Sequence, residues 1–258
     1  QRGRREYDEE RAGGAVSLGY RFQRGWLKDW IGEVALRAEG IDISGTDWLT
    51  SPIILEDVGS SFLGSVKGSL VHDTTDSRFS PSRGHRFSTS VEQFGGDYSF
   101  TQFTTGYTQH YTMRTDVLDR KSILSLRAVG GYIAGEAPVF ERFYGGGIGS
   151  IRGFEFRGAS PVDGWRDDRI GGDFMLLTGA EYSFPVYSKA LRGVVFTDMG
   201  TVEEDFEITS WRASVGVGLR IIVQFFGPVP LSFDFAVPVA SKDTDDEQVF
   251  SFSFGASF

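Results

Sequence analysis

Apolar and polar residues alternate with a period of two along almost the whole chain, most cleanly at its end. There Phe250, Phe252, Phe254, Ala256 and Phe258 fall on one face, and Ser251, Ser253, Gly255 and Ser257 on the other. Further upstream Trp211, Ala213, Val215, Val217, Leu219 and Ile221 share a face opposite Arg212, Ser214, Gly216, Gly218 and Arg220. A period of two is the mark of an extended strand with two unlike faces. The pattern predicts about eleven strands, near residues 14–24, 33–43, 61–73, 84–95, 98–114, 121–134, 172–184, 191–200, 211–223, 230–237 and 248–258. Many reach or exceed the ~9–11 residues a tilted strand needs to cross a membrane, whereas strands of water-soluble proteins average about five or six.

The polar faces carry Gly, Ser, Thr and charges such as Arg127, Glu181 and Arg220, which suit a wet lumen. The apolar faces end in aromatics, among them Tyr20, Phe22, Phe103, Tyr107, Tyr132 and Phe184, as interfacial girdles do. Short connections (95–98, 115–120, 185–190) alternate roughly with longer polar ones (44–60, 135–171, 238–247). No helical period, heptad, repeat or linker stands out. The expectation is one all-β domain, an antiparallel transmembrane β-barrel. A water-soluble all-β protein would need something to cover so many long, aromatic-tipped apolar faces.

Composition narrows the partners. With 258 residues, no cysteine and a net charge of −9, the chain has no disulfide framework or thiolate metal site and is ill suited to nucleic acid. No apolar run approaches the ~18 residues of a membrane helix. A slightly negative mean hydropathy is compatible with a barrel, because lumen and lipid residues average out. The first residues, QRGRREYDEERAGG, have neither an initiating Met nor a signal-peptide core, so a piece of a longer protein is expected.

Three stretches carry candidate sites. In residues 71–92, Asp73 and Asp76 precede Pro81 and Gly84, the chemistry of a polar turn. His72 beside these acids gives only a weak hint of a metal, since the three histidines are scattered at 72, 85 and 110. Residues 140–161, FERFYGGGIGSIRGFEFRGASP, form the centre of the longest connection. No Lys-Ser/Thr follows the glycines, which excludes a phosphate loop. A connection this long is usually functional or disordered, and its aromatics together with Ile148 and Ile151 argue against disorder. It is expected to fold back on the protein, with glycine allowing close approach and Arg152 offering a five-donor fork to a carboxylate. The third stretch supplies the acids. Alternation puts Glu181 and Asp198 on the polar faces of the two strands after the loop, where a buried charge needs a partner.

These residues resemble the BamA-type outer-membrane assembly proteins, the bacterial surface antigen family that also includes two-partner secretion transporters. The likeness rests on the tetrad Ile151–Arg152–Gly153–Phe154, on the strand motif Phe196–Asp198–Gly200, and on the Asp73–Asp76–Pro81–Gly84 turn. The C-terminal strand with Phe250, Phe252, Phe254 and Phe258 adds to it. The resemblance implies a sixteen-stranded barrel of which this chain holds the C-terminal part, about eleven strands, without the first strands and the periplasmic POTRA repeats. It implies that the tetrad loop enters the barrel and that Arg152 meets Asp198 and Glu181. It also implies insertion of unfolded barrel-protein clients into the outer membrane of a Gram-negative-type bacterium through a lateral strand gate, with accessory periplasmic lipoproteins. No enzyme activity, cofactor or metal is expected. A secretion transporter exporting a soluble partner is the principal alternative. A barrel-associated lipase lacks any Gly-x-Ser-x-Gly, and a passive porin has no reason to carry the tetrad.

Overall fold

A computed structural model describes residues 7–78, 80–187, 190–222 and 230–255. Six long strands precede the long connection: β1 (Asp8–Arg21), β2 (Trp30–Ser44), β3 (Gly59–Asp73), β4 (Gly84–Gly96), β5 (Phe100–Thr115) and β6 (Lys121–Gly135). The connection itself holds three two-residue strands, β7 (Gly153–Phe154), β8 (Val162–Asp163) and β9 (Asp168–Arg169). After it come β10 (Phe174–Pro185), β11 (Leu191–Glu203), β12 (Arg212–Ile222), β13 (Pro230–Ala240), the short β14 (Glu247–Gln248) and β15 (Phe250–Phe254). Eleven of these form one antiparallel sheet in the order β1-β2-β3-β4-β5-β6-β10-β11-β12-β13-β15. All neighbour pairs are consecutive among those eleven, a simple up-and-down meander; the long connection with β7–β9 lies between β6 and β10, and β14 between β13 and β15. Among the described residues β1 and β15 each have one strand neighbour in this sheet.

The two faces differ as the alternation demands. On β12, Val215, Val217 and Leu219 are exposed while Arg212, Ser214 and Arg220 are buried. On β15, Phe250, Phe252 and Phe254 are exposed and Ser251 is buried. This is the inverse of a water-soluble protein: apolar side chains point outward and charges inward. Phe258 and the end of the last predicted strand lie outside the described residues.

The inner face is filled by the connection between β6 and β10. Val139, Phe140, Phe143 and Ile170 from the connection pack with Ile41, Ile43, Leu63, Phe94, Phe100 and Val202 from the strands. Arg11 on β1 donates to the Phe140 carbonyl at 3.0 Å, and Glu155 N–H to the Asp246 carbonyl beyond β13 at 2.8 Å. The connection thus touches both ends of the sheet, which therefore curls around it.

Three local features differ from the sequence reading. The 97–99 connection is short but lies on the same side as the long ones at 45–58, 136–173 and 204–211. There Gly96 turns at φ +121°, and a Cβ would sit 2.4 Å from the Phe62 carbonyl oxygen. A one-turn helix, α1 (Pro52–Glu56), interrupts the β2–β3 connection, capped by the Ser51 side chain accepting from Ile53 N–H. Finally, β1 starts at Asp8, six residues before the predicted strand, because pairing with β2 (Asp8↔Ser44 onward) holds a segment with no apolar alternation.

Candidate functional site

The glycine run in the long connection reflects close approach of backbone to backbone. A Cβ at Gly145 would lie 2.6 Å from the Ala159 carbonyl oxygen, and one at Gly146, where φ is +98°, 2.5 Å from that of Glu155. The chain doubles back on itself here, with Ala159 N–H donating to the Gly145 carbonyl and Gly147 N–H to that of Ile151. Ile151 and Phe154 then enter a buried cluster with Ala159 and Leu177. Gly153 sits at φ +95°, where an added Cβ would lie 3.2 Å from Ser214, 3.4 Å from Ala236 and 3.5 Å from Pro238. The flanking apolar residues anchor the loop, and the glycine lets it pass β12 and β13.

Between them Arg152 is driven into the interior, only 2% exposed. Its Nε donates to Asp198 Oδ2 at 2.6 Å and its Nη2 to Asp198 Oδ1 at 3.0 Å, the bidentate fork. Its Nη1 donates to Glu181 Oε2 at 2.8 Å, and its backbone N–H to Asp198 Oδ2 at 3.2 Å. The guanidinium also lies 3.4 Å from the centre of the Phe196 ring. A second guanidinium completes the network: Arg220 donates to Glu181 at 3.0 Å and to Asp234 at 2.6 Å. Asp234 approaches Arg152 to 3.7 Å. Arg127 on β6 donates to the Gly149 and Ser150 carbonyls, securing the loop just before the tetrad. Every carboxylate in this cluster faces at least one arginine, which is what permits so many charges to be buried.

The other motif residues are placed as follows. Phe196 and Gly200 lie on β11 beside Asp198, and a Cβ at Gly200 would come within 2.6 Å of the Leu176 carbonyl oxygen. Asp73, Asp76, Pro81 and Gly84 build the β3–β4 turn, far along the chain from the tetrad. Asp76 accepts from Ser82 N–H at 2.7 Å, from Ser82 Oγ at 2.5 Å and from Arg83 N–H at 3.3 Å. Burial raises its pKa, but these bonds and nearby Lys121 outweigh it and hold the carboxyl at about 2. Gly84 turns at φ +95°, its missing Cβ 2.3 Å from the Thr74 carbonyl oxygen. His72 and His85 contact each other at 3.1 Å, and His72 stacks on Trp30.

Sequence reasoning passed over Asp234, although alternation in LSFDFAVPV places it opposite Phe233 and Phe235. It also missed a second tether. Gly153–Phe154 of the tetrad pairs with Glu247–Gln248, Arg169 donates to Asp246 at 2.8 Å, and Arg212 forms a bidentate pair with Asp245. The loop is thereby fastened to the connection that leads into the last strand.

A family model described as the Omp85 superfamily domain matches residues 1–258. The chain belongs to the Omp85 superfamily. An outer membrane protein assembly factor BamA of Nitratidesulfovibrio vulgaris is 31% identical over 237 residues, covering 86% of this chain and 29% of that protein. This Omp85 chain therefore spans under a third of that relative's length. The crystal structure of BamA from Haemophilus ducreyi lacking POTRA domains 1-3 superposes with a TM-score of 0.79 at 19% identity, over 98% of this chain and 55% of that one. CdiB from Acinetobacter baumannii gives 0.65 at 16% identity, over 98% and 43%. At such identities the two structures speak for the fold, which is that of the Omp85 barrel.

Proposed function

We propose that this chain is the C-terminal barrel portion of an outer-membrane assembly factor, which folds other barrel proteins and inserts them into the membrane without covalent chemistry. The observation that carries this reading is the behaviour of the last strand. Among the described residues β15 pairs with β13 over five residues, Phe250–Phe254 against Leu231–Phe235. Above the Ala236 N–H to Val249 carbonyl bond, at 2.9 Å, the chain leaves β13, and Glu247–Gln248 pairs with the tetrad instead. A strand held this briefly on its neighbour is a template on which an incoming strand can add by main-chain hydrogen bonds. The tetrad loop, locked through Arg152, sets how far that strand is held back. Unfolded barrel proteins are the clients, and preceding strands, POTRA repeats and accessory lipoproteins belong to the larger assembly.

The test is folding of a urea-denatured barrel client by the intact protein in phospholipid vesicles, read by the client's heat-modifiable gel mobility. Faster folding than in empty vesicles, lost on Arg152→Ala, is the expected result. No acceleration would overturn the proposal, and passage of a soluble partner into the vesicles instead would favour a secretion transporter.

A further inference from the structure

The outer face of β1–β4 carries a groove that the assembly role leaves unused. Two neighbouring cross-strand rows each hold a glycine: Gly32 between Tyr20 and Leu70, and Gly68 between Val34 and Val91. The missing side chains leave a groove of about 620 Å³ with almost wholly apolar walls, a size typical of ligand sites. Its floor is Gly68, where an added Cβ would meet nothing within 4 Å, whereas the Phe22 ring already covers Gly32.

Phe22, among its walls, brings the groove to the rim formed by the 22–29 and 74–83 connections. That rim has the opposite charge to the molecule. Residues 21–29 and 73–86 hold six arginines and lysines against three aspartates, in a chain of net charge −9. Asp73 and Asp76 are taken up by Thr75 and Ser82 of their own turn. Arg24 and Lys28 are exposed beside Phe22, and no ion pair engages them among the described residues. Trp26, 87% exposed at the tip of the same connection, is the residue type that settles at a membrane interface.

Resting on the membrane reading above, we propose that this is a binding site for one anionic phospholipid. An acyl chain lies over Gly68 between the apolar walls, and the phosphate is held by Arg24 and Lys28. The rim lies on the opposite side of the sheet from the long connections, so the lipid belongs to the leaflet on the short-connection side. A basic headgroup contact and a fitted acyl groove together select one lipid from the surrounding bilayer, which neither does alone.

The test is native mass spectrometry of the intact protein in a mild detergent, titrated with phosphatidylglycerol or phosphatidylcholine of matched chains. One phosphatidylglycerol should be retained at about tenfold lower concentration than phosphatidylcholine, a difference near 1.4 kcal/mol. Gly68→Phe should abolish that retained adduct, and the smaller Gly68→Leu should weaken it. Arg24→Gln with Lys28→Gln should make the two lipids equivalent. Heat-modifiable mobility of each variant establishes that it folds. Equal binding of both lipids by the unaltered protein, or an unchanged adduct in folded Gly68→Phe, would overturn the proposal. So would a protein dimer that Gly68→Phe dissolves, since a second copy would then own the groove. If the intact protein fails to enter vesicles at all, the membrane reading falls instead; client folding with no lipid preference sinks this site alone.

Discussion

Arg152 shows why a single residue can set the state of a loop. Its guanidinium reaches two carboxylates with three side-chain donors, all at 3.0 Å or less, in a site closed to solvent. Arg152→Ala leaves Asp198 and part of Glu181 buried without that partner, a change that costs about 3–5 kcal/mol where a buried pair is broken. Urea unfolding of the intact protein should show that loss, and Arg152→Lys should recover only part of it, because an ammonium cannot fork onto Asp198. A midpoint for Arg152→Ala equal to that of the parent would contradict the geometry. Asp173, just before β10, gives a pH signal. Desolvation first, then repulsion from Asp205 and Glu204, raises its carboxyl to about 6 against the pull of Arg142. A raised carboxylate contributes stability that is full below its ordinary value of 3.8 and is lost as pH rises through about 6. The 204–211 connection should therefore be better protected from hydrogen exchange at pH 5 than at pH 8, and Asp173→Asn should remove the difference. Arg152, Glu181 and Asp198 were legible in the sequence because an arginine set between an apolar residue and a glycine, and acids on the polar faces of the next two strands, stand out. Asp234 was equally legible by face, but nothing in the sequence says that a second arginine, Arg220, makes room for a third acid.

Strands are the elements read best from sequence, and the reason is the solvent. Lipid outside and water or loop inside impose opposite demands on successive residues, so alternation persists over β12 and marks both faces of it. Val217 points outward, 56% exposed, and Val217→Arg should cost about 2–4 kcal/mol near the bilayer midplane. Its neighbour fails for another reason: a Cβ at Gly216 would lie 2.3 Å from the Phe196 ring and 2.6 Å from the Phe235 carbonyl oxygen. Gly216→Ala should therefore disturb the Phe196 ring that backs Arg152. Spin labels supply the check: position 217 should report lipid contact in the inserted protein, and water contact there would contradict the assignment. Elements made by contact rather than by pattern were not legible. β7 and β14 are two residues each and exist because two connections meet. The start of β1 is polar on both faces and is extended only because β2 pairs with it. The short helix α1 did leave a signal, Ser51–Pro52, too brief for a periodicity to reveal.

At the scale of the whole sheet, its two end strands, β1 and β15, do not pair with each other among the described residues. In hydrocarbon each unpaired N–H or C=O costs several kcal/mol, so these 258 residues by themselves should aggregate or join edges with another copy in detergent. A monodisperse, protease-resistant, heat-modifiable monomer would contradict that expectation. The charge is also divided, with acidic connections on the long-loop side and the basic rim on the other, which gives the sheet an orientation across a membrane. Between these lies the coupling on which the functional reading depends: the tetrad loop, locked by Arg152, holds the segment that leads into β15. The most direct test is disulfide trapping at that strand. Ser253→Cys in the intact protein should cross-link to a cysteine in the terminal strand of a client stalled during assembly, with alternate client positions reacting as strand pairing requires. The cross-link should fade when Arg152→Ala frees the loop. Equal reaction at every client position, or none while the client still folds, would show that β15 is not the template.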